Sequence, residues 1–182
     1  MLDRSRPHSR SSGNLRPGPT DASTGHYWLM RRDLALPRRP VSWPETLHEV
    51  PFSAENAAAV HSLFVLGTQH GGGRVADFTT WLRAFESDPE FDRALCLVVE
   101  DPLGVVAVAQ CWTSAFIRNL VVHPRLQGRG LGSALMARVF EAFAQRNEGH
   151  VDLKVMESNL TARRLYERVG MHYVQRCELE PR

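Results

Sequence analysis

The chain has 182 residues, 43% of them apolar, and a formal net charge of +2, which suits one domain with its own core plus a tail and leaves too little for two full domains. No apolar run reaches the roughly 18 to 20 residues of a membrane span, and the arginine- and serine-rich start lacks an apolar signal segment, so a cytoplasmic protein that does not engage membranes is expected. Eight arginines against Asp3, Asp21 and Asp33 gather positive charge in residues 1–40. A nucleic-acid binder would carry such charge on its folded body with interleaved aromatics, so nucleic acid is not an expected partner.

Residues 1–25 mix Arg, Ser, Gly and Pro with almost no aliphatic side chains and are expected to form a disordered tail. Residues 26–46 hold a strand-like run, Tyr27 to Leu34, and a linker punctuated by Pro37, Pro40 and Pro44. The folded domain is expected over 47–182. It begins with a short strand, Leu47 to Phe52, and a helix capped by Ser53 that runs to about Thr68. Gly71 to Gly73 break the chain, as a connector or a lid, before a second helix from about Val75 to Glu86, which carries Phe78, Leu82 and Phe85 at helical spacing and stops ahead of Pro89. Leu95 to Glu100 and Val105 to Trp112 flank Asp-Pro-Leu-Gly and read as a hairpin, and Ala115 to Val122 is a third strand ending at His123-Pro124. A helix from about Leu131 to Arg146, a strand from Val151 to Met156, a helix capped by Asn159 and ended by Gly170, and a last strand from Tyr173 to Leu179 complete the order. Cys96, Cys111 and Cys177 are odd in number and widely spaced, which points to reduced cysteines and neither disulfides nor a zinc site; no metal is expected.

The strongest local signal is Val121-Val122-His123-Pro124-Arg125-Leu126-Gln127-Gly128-Arg129-Gly130-Leu131-Gly132, a strand running into a glycine-rich turn that opens a helix. Glycine lets a backbone approach a ligand closely, and the first helical N–H groups carry partial positive charge, so the place suits a pyrophosphate. A dinucleotide loop fits poorly, because the spacing is Gly128-x-Gly130-x-Gly132 and antiparallel strands precede it. A P-loop is excluded by the lack of Gly-Lys-Ser/Thr. A plain tight turn remains open on the residues alone.

Gln127-x-x-Gly130-x-Gly132 resembles the coenzyme A loop of the GNAT superfamily of N-acetyltransferases. A second stretch after the next strand, Asn159, Ala162, Leu165, Tyr166, Glu167 and Gly170, matches that family's Asn-x-x-Ala-x-x-Leu-Tyr-Glu-x-x-Gly pattern. The resemblance is specific from about Phe116 to Met171 and extends in element order from Leu47 to Leu179. It implies an α+β fold with a mixed, mostly antiparallel sheet, helices on both faces, and one parallel crossover that splays to admit coenzyme A. It further implies that acetyl-CoA is co-substrate, that backbone groups of Leu120, Val121 and Val122 pair with the pantetheine, and that Gln127, Gly128, Arg129, Gly130, Leu131, Gly132 and Ser133 hold the pyrophosphate. Arg125 or Arg129 would add charge to the phosphates. Tyr166 would face the coenzyme sulfur and give a hydrogen bond or a proton to the departing thiolate, with a core aromatic as the lesser alternative; Asn159 is either a cofactor contact or a helix cap.

The implied activity is direct transfer of an acetyl group to a primary amine of a small molecule or peptide. A non-catalytic acyl-CoA-binding module is the alternative, and a DNA-binding protein a distant one. The base that frees the amine is not named by the sequence: Gln110, Trp112, Thr113 and Ser114 sit where such enzymes shape the acceptor pocket, Asp77 or Glu86 could approach from the helices, and His123 reads as structural. The chain also departs from the family by ending after one strand where two are usual. Tyr27 to Leu34 is therefore expected to pair beside Val151 to Met156 or Tyr173 to Leu179, within the chain or swapped from a second copy in a homodimer.

Overall fold

Cys96, Val98, Val108 and Leu97, Val99, Ala107, Ala109 are buried on opposite faces of one antiparallel hairpin, so the strands at the centre of this molecule are covered on both sides. The computed structural model describes residues 25–37, 40, 43–71 and 74–179. The expected tail, Gly25 apart, lies outside the described residues, as do Gly72 and Gly73 of the glycine break.

The described elements are β1 (His26–Asp33), β2 (His48–Pro51), α1 (Ala57–Gly71), α2 (Phe78–Glu86), β3 (Phe91–Asp101), β4 (Gly104–Trp112), β5 (Phe116–Val122), a short 3-10 turn (Pro124–Leu126), α3 (Leu131–Gln145), β6 (His150–Met156), α4 (Leu160–Arg168) and β7 (His172–Glu178). The strands form one sheet in the order β2-β3-β4-β5-β6-β1-β7. All neighbours are antiparallel except β5 and β6. This is the expected mixed α+β architecture. No described helix is long and apolar enough to cross a membrane.

Two apolar layers hold the sheet. On one face α3 contributes Leu135, Met136, Val139, Phe140 and Phe143 and α4 contributes Tyr166. On the other, α1 and α2 bring Val60, Leu63, Phe64 and Phe85 onto Phe52, Cys96, Val98 and Val108. Edge-to-face contacts of Phe85 with Phe52 and Phe91, at 5.1 and 4.4 Å between centroids, join α2 to the strands beneath.

Tyr27 to Leu34 closes the sheet from the N-terminal side. Strand β1 lies between β6 and β7, with Trp28 opposite Val155 on one side and Arg176 on the other. It pairs with both proposed partners within one chain, so the seam needs no second copy. Met30 is fully buried, and Arg32 is buried with its guanidinium on the carbonyls of Pro37 (2.7 Å) and Gly170 (3.3 Å), which ties the strand to the end of α4.

Local chemistry explains where boundaries differ from expectation. Ser53 does not cap α1: its N–H donates to Asn56 Oδ1 at 2.9 Å, a turn forms over 54–56, and the helix starts at Ala57. Helix α2 starts at Phe78 because Asp77 caps it, its carboxylate accepting the Thr80 N–H at 3.1 Å.

Candidate active site

The site begins with an irregularity in one strand. Gln110 pairs with Asn119 but Cys111 pairs with Ile117, so Arg118 is an extra residue in β5. A bulge bends and twists its strand. On its other side β5 pairs with β6 only at Phe116–Asp152 and Ile117–Leu153, after which the two parallel strands separate. Residues 119–122 thus keep their β4 partners and have none on the β6 side, which exposes a strand edge inside the sheet. Val122 is partly committed, since its carbonyl accepts from Gln127 Nε2 at 2.8 Å. Leu120 and Val121 line the adjacent cleft, next to Arg118 and Asn119.

At the end of β5 the chain turns sharply. His123 caps the 3-10 turn by accepting the Arg125 N–H at 3.3 Å, the structural role expected of it. Gly128 and Gly130 then take left-handed φ values of 74° and 85°, and a Cβ on either would meet nothing within 4 Å. Gly130 is the cap of α3 and provides no side chain to bond its first N–H groups. Its carbonyl accepts from Ser133 and Ala134, while the N–H groups of residues 128–132 meet no acceptor among the described residues. Gly132 differs. Its φ is ordinary, and an added Cβ would lie 3.0 Å from Leu165 Cδ2, so this glycine lets α3 approach α4.

The two loop arginines separate cleanly. Arg125 grips Asp101 in the β3–β4 hairpin through a two-pronged pair, one contact at 2.8 Å, and that guanidinium holds the Asp101 carboxyl down at about 2. Arg125 is therefore committed to the hairpin, contrary to its expected share in phosphate binding. Arg129 is exposed and has no partner among the described residues. Asn159 caps α4 by accepting the Ala162 N–H at 3.1 Å, which accounts for it without a ligand.

Tyr166 is 8% exposed within the core on the α3–α4 face, and its hydroxyl has no hydrogen-bond partner among the described residues. Burial pushes the phenol up to about 12. It stays protonated across the neutral range and is a donor there. A protonated phenol in this place can act as a donor to a thiolate that forms beside it.

On the opposite face a cleft of about 640 Å³ opens between α1, α2 and the β4–β5 strands, a size suited to a small molecule. Phe64, Trp81 and Phe85 supply its apolar wall, and Gln110, Asn119, Asp88, Arg118, Arg74, Thr68 and Thr80 its polar groups. Gln110 is buried and accepts from Asn119 Nδ2 at 2.7 Å. The other acceptor-pocket expectations shift: Trp112, Thr113 and Ser114 are not on the cleft wall, Asp77 caps α2, and Glu86 pairs with Arg93 at 3.3 Å. The carboxylate on the wall is Asp88, which accepts Trp112 Nε1 at 3.1 Å, Arg118 Nη1 at 3.3 Å and the Glu90 N–H at 2.9 Å. Its place after α2 in Ser-Asp-Pro reads as a turn in sequence, and only the packing of Trp112 and Arg118 turns it into a site residue.

The family model for the acetyltransferase (GNAT) family matches residues 32–171. The chain belongs to that family. Similar proteins include the mycothiol acetyltransferases of Kineococcus radiotolerans, 42% identical over 94 residues, and of Beutenbergia cavernae, 33% identical over 126 residues. These matches cover 49% and 54% of this chain but only 30% and 42% of the relatives, so the chain spans less than half the length of either. Among solved structures, a GCN5-related N-acetyltransferase from Sphaerobacter thermophilus superposes with a TM-score of 0.69 at 28% identity, covering 84% of this chain and 50% of that one. The ribosomal-protein-S18-alanine N-acetyltransferase of Escherichia coli shares the fold, with a TM-score of 0.55 at 20% identity over 68% of this chain and 76% of its own. The GNAT family uses acetyl-CoA as co-substrate and acts on amines of small molecules or peptides.

Proposed function

We propose that this chain transfers an acetyl group from acetyl-CoA to a primary amine of a small molecule or peptide, by direct attack of the amine. The observation that carries this reading is the open edge of β5 at Leu120 and Val121, flanked by the unpaired N–H groups of residues 128–132 and by the cleft that holds Asp88. These features fit a long, bent, phosphorylated thioester. The 128–132 amides and the start of α3 suit its pyrophosphate, Arg129 can add charge there, and the edge of β5 suits the amides of its pantetheine. When bound, acetyl-CoA supplies the activated acyl group and a sulfur leaving group.

The chain's own residues then divide the work. Backbone groups of Leu120 and Val121 would align the thioester along β5, and Tyr166 would donate a hydrogen bond to the sulfur as negative charge grows on it. An amine arrives mostly as ammonium near neutral pH and must lose a proton before it can attack. Asp88, fixed by three donors on the cleft wall, is assigned to receive that ammonium and accept its proton directly or through water. Fixing both reactants at one strand edge converts a bimolecular encounter into an intramolecular one, which contributes a large part of such a rate enhancement. Incubating the protein with acetyl-CoA and a panel of primary amines, with detection of free coenzyme thiol, tests the reading: amine-dependent thiol release supports it, and release independent of every amine refutes it.

A further inference from the structure

The charged groups on the cleft wall do not cancel. Arg118 and Asp88 form a pair at 3.3 Å, and Arg118 is further pinned by stacking on the Trp112 ring, its Cζ 4.8 Å from the ring centre. Asp88 is the acid among the wall residues, so Arg74 is left as a second guanidinium with no acid against it. Arg74 is exposed and makes no ion pair or hydrogen bond among the described residues. It lies on the 74–77 segment that approaches α2, a segment held from α1 by the ring of His61, whose Nε2 is 2.8 Å from the Ala76 carbonyl. The backbone two residues beyond Arg74 is thereby tied to α1, and Arg74 lines the cleft.

A guanidinium is a planar fork suited to two oxygens of a carboxylate or phosphate, and one left without a counter-charge beside an apolar wall favours a ligand that brings one. We infer that the acceptor is an amine that also carries an anionic oxygen group, carboxylate or phosphate, with the anion at Arg74 and the amine at Asp88. This rests on the reading of the cleft as the acceptor site and narrows it to a substrate class. Polyamines and plain alkylamines, which would place further positive or apolar groups at Arg74, are disfavoured by the same charge count.

The test compares matched acceptors with the 182-residue chain and saturating acetyl-CoA: amino acids and short peptides against their C-terminal amides, and phosphoethanolamine against ethanolamine. The expected result is a kcat/KM about tenfold higher for the anionic member of at least one pair, shrinking as salt is raised, with the acid–amide and phosphate–alcohol pairs telling which anion is preferred. Arg74→Gln should bring that ratio close to one while leaving the neutral members and the acetyl-CoA thermal shift unchanged, and Arg74→Lys should restore part of it. Equal rates within every wild-type pair, or a preference that survives Arg74→Gln, would overturn the inference while leaving the acceptor cleft intact. If the protein binds acetyl-CoA but acetylates no member of any pair, the acceptor reading of the cleft falls and this inference falls with it.

Discussion

Gly130→Ala and Gly132→Ala are both small changes in one loop, yet the geometry predicts opposite outcomes. Gly130 sits at φ 85° in open space, so an added methyl meets no atom and its cost is the backbone conformation alone, about 1–2 kcal/mol. For a chain of this size that lowers Tm by roughly 2–8 °C. Gly132 lies in the first turn of α3, where alanine favours the helix by up to about 1 kcal/mol, and this offsets the strain of a Cβ 3.0 Å from Leu165 Cδ2. Its Tm should hardly change. Acetyl-CoA at a hundredfold excess over Kd should add about 2.7 kcal/mol, roughly 5–11 °C, to the wild type. Gly132→Ala should keep that rise. Gly130→Ala, whose methyl projects from the turn that presents the N–H groups, should bind at least tenfold more weakly and show about half the rise or less at the same ligand concentration. Differential scanning fluorimetry with and without ligand reads all of these. A Gly130→Ala protein that loses stability but keeps the full ligand-induced rise would refute the loop as the pyrophosphate site.

Tyr166→Phe should keep the acetyl-CoA thermal shift and lose at least about tenfold in kcat, because the ring still packs and only the donor is removed; unchanged kcat would return the residue to the core. The same phenol has a pH signature. Its folded pKa of about 12 lies above the unfolded value near 10, so its contribution to stability is full below pH 10 and is lost as pH rises toward 12, a loss that Tyr166→Phe should lessen in alkaline melts. Asp88→Asn should reduce kcat/KM for the amine about ten- to a hundredfold with the acetyl-CoA shift intact, and normal turnover would remove Asp88 from the chemistry. Deleting residues 1–24 should leave Tm unchanged, whereas deleting 1–36 removes β1 from between β6 and β7 and takes Met30 out of the core, so soluble folded protein should not be recovered; equal Tm values would show the strand to be dispensable.

Patterns confined to one segment are legible in the amino-acid sequence itself. The loop from Gln127 to Gly132, the caps at Asn159 and Gly170, and the alternating faces of β3 and β4 depend on neighbours in sequence, so residue type and spacing carry them. The place of β1 is legible only through the family resemblance: it implies two closing strands where one follows α4, a missing strand would leave backbone groups unpaired, and Tyr27 to Leu34 is the segment able to fill the gap. What sequence does not convey depends on contacts far along the chain. Arg125 looks like a phosphate ligand until Asp101, 24 residues earlier, is found against it. Asp88 looks like a turn residue until Trp112 and Arg118 fold over it. The bulge at Arg118, which opens the sheet, leaves no trace in residue type because any side chain can occupy it.

The central claim, acetyl transfer at the open edge of β5, is tested most directly by a stoichiometric assay. Acetyl-CoA and an amine panel are incubated with the wild type and with Tyr166→Phe, and coenzyme thiol and acetylated amine are measured in the same samples. Equal amounts of thiol and acetylated amine from the wild type, reduced together in Tyr166→Phe, are the expected result. Thiol without acetylated amine, or product formed equally well by both proteins, would contradict it.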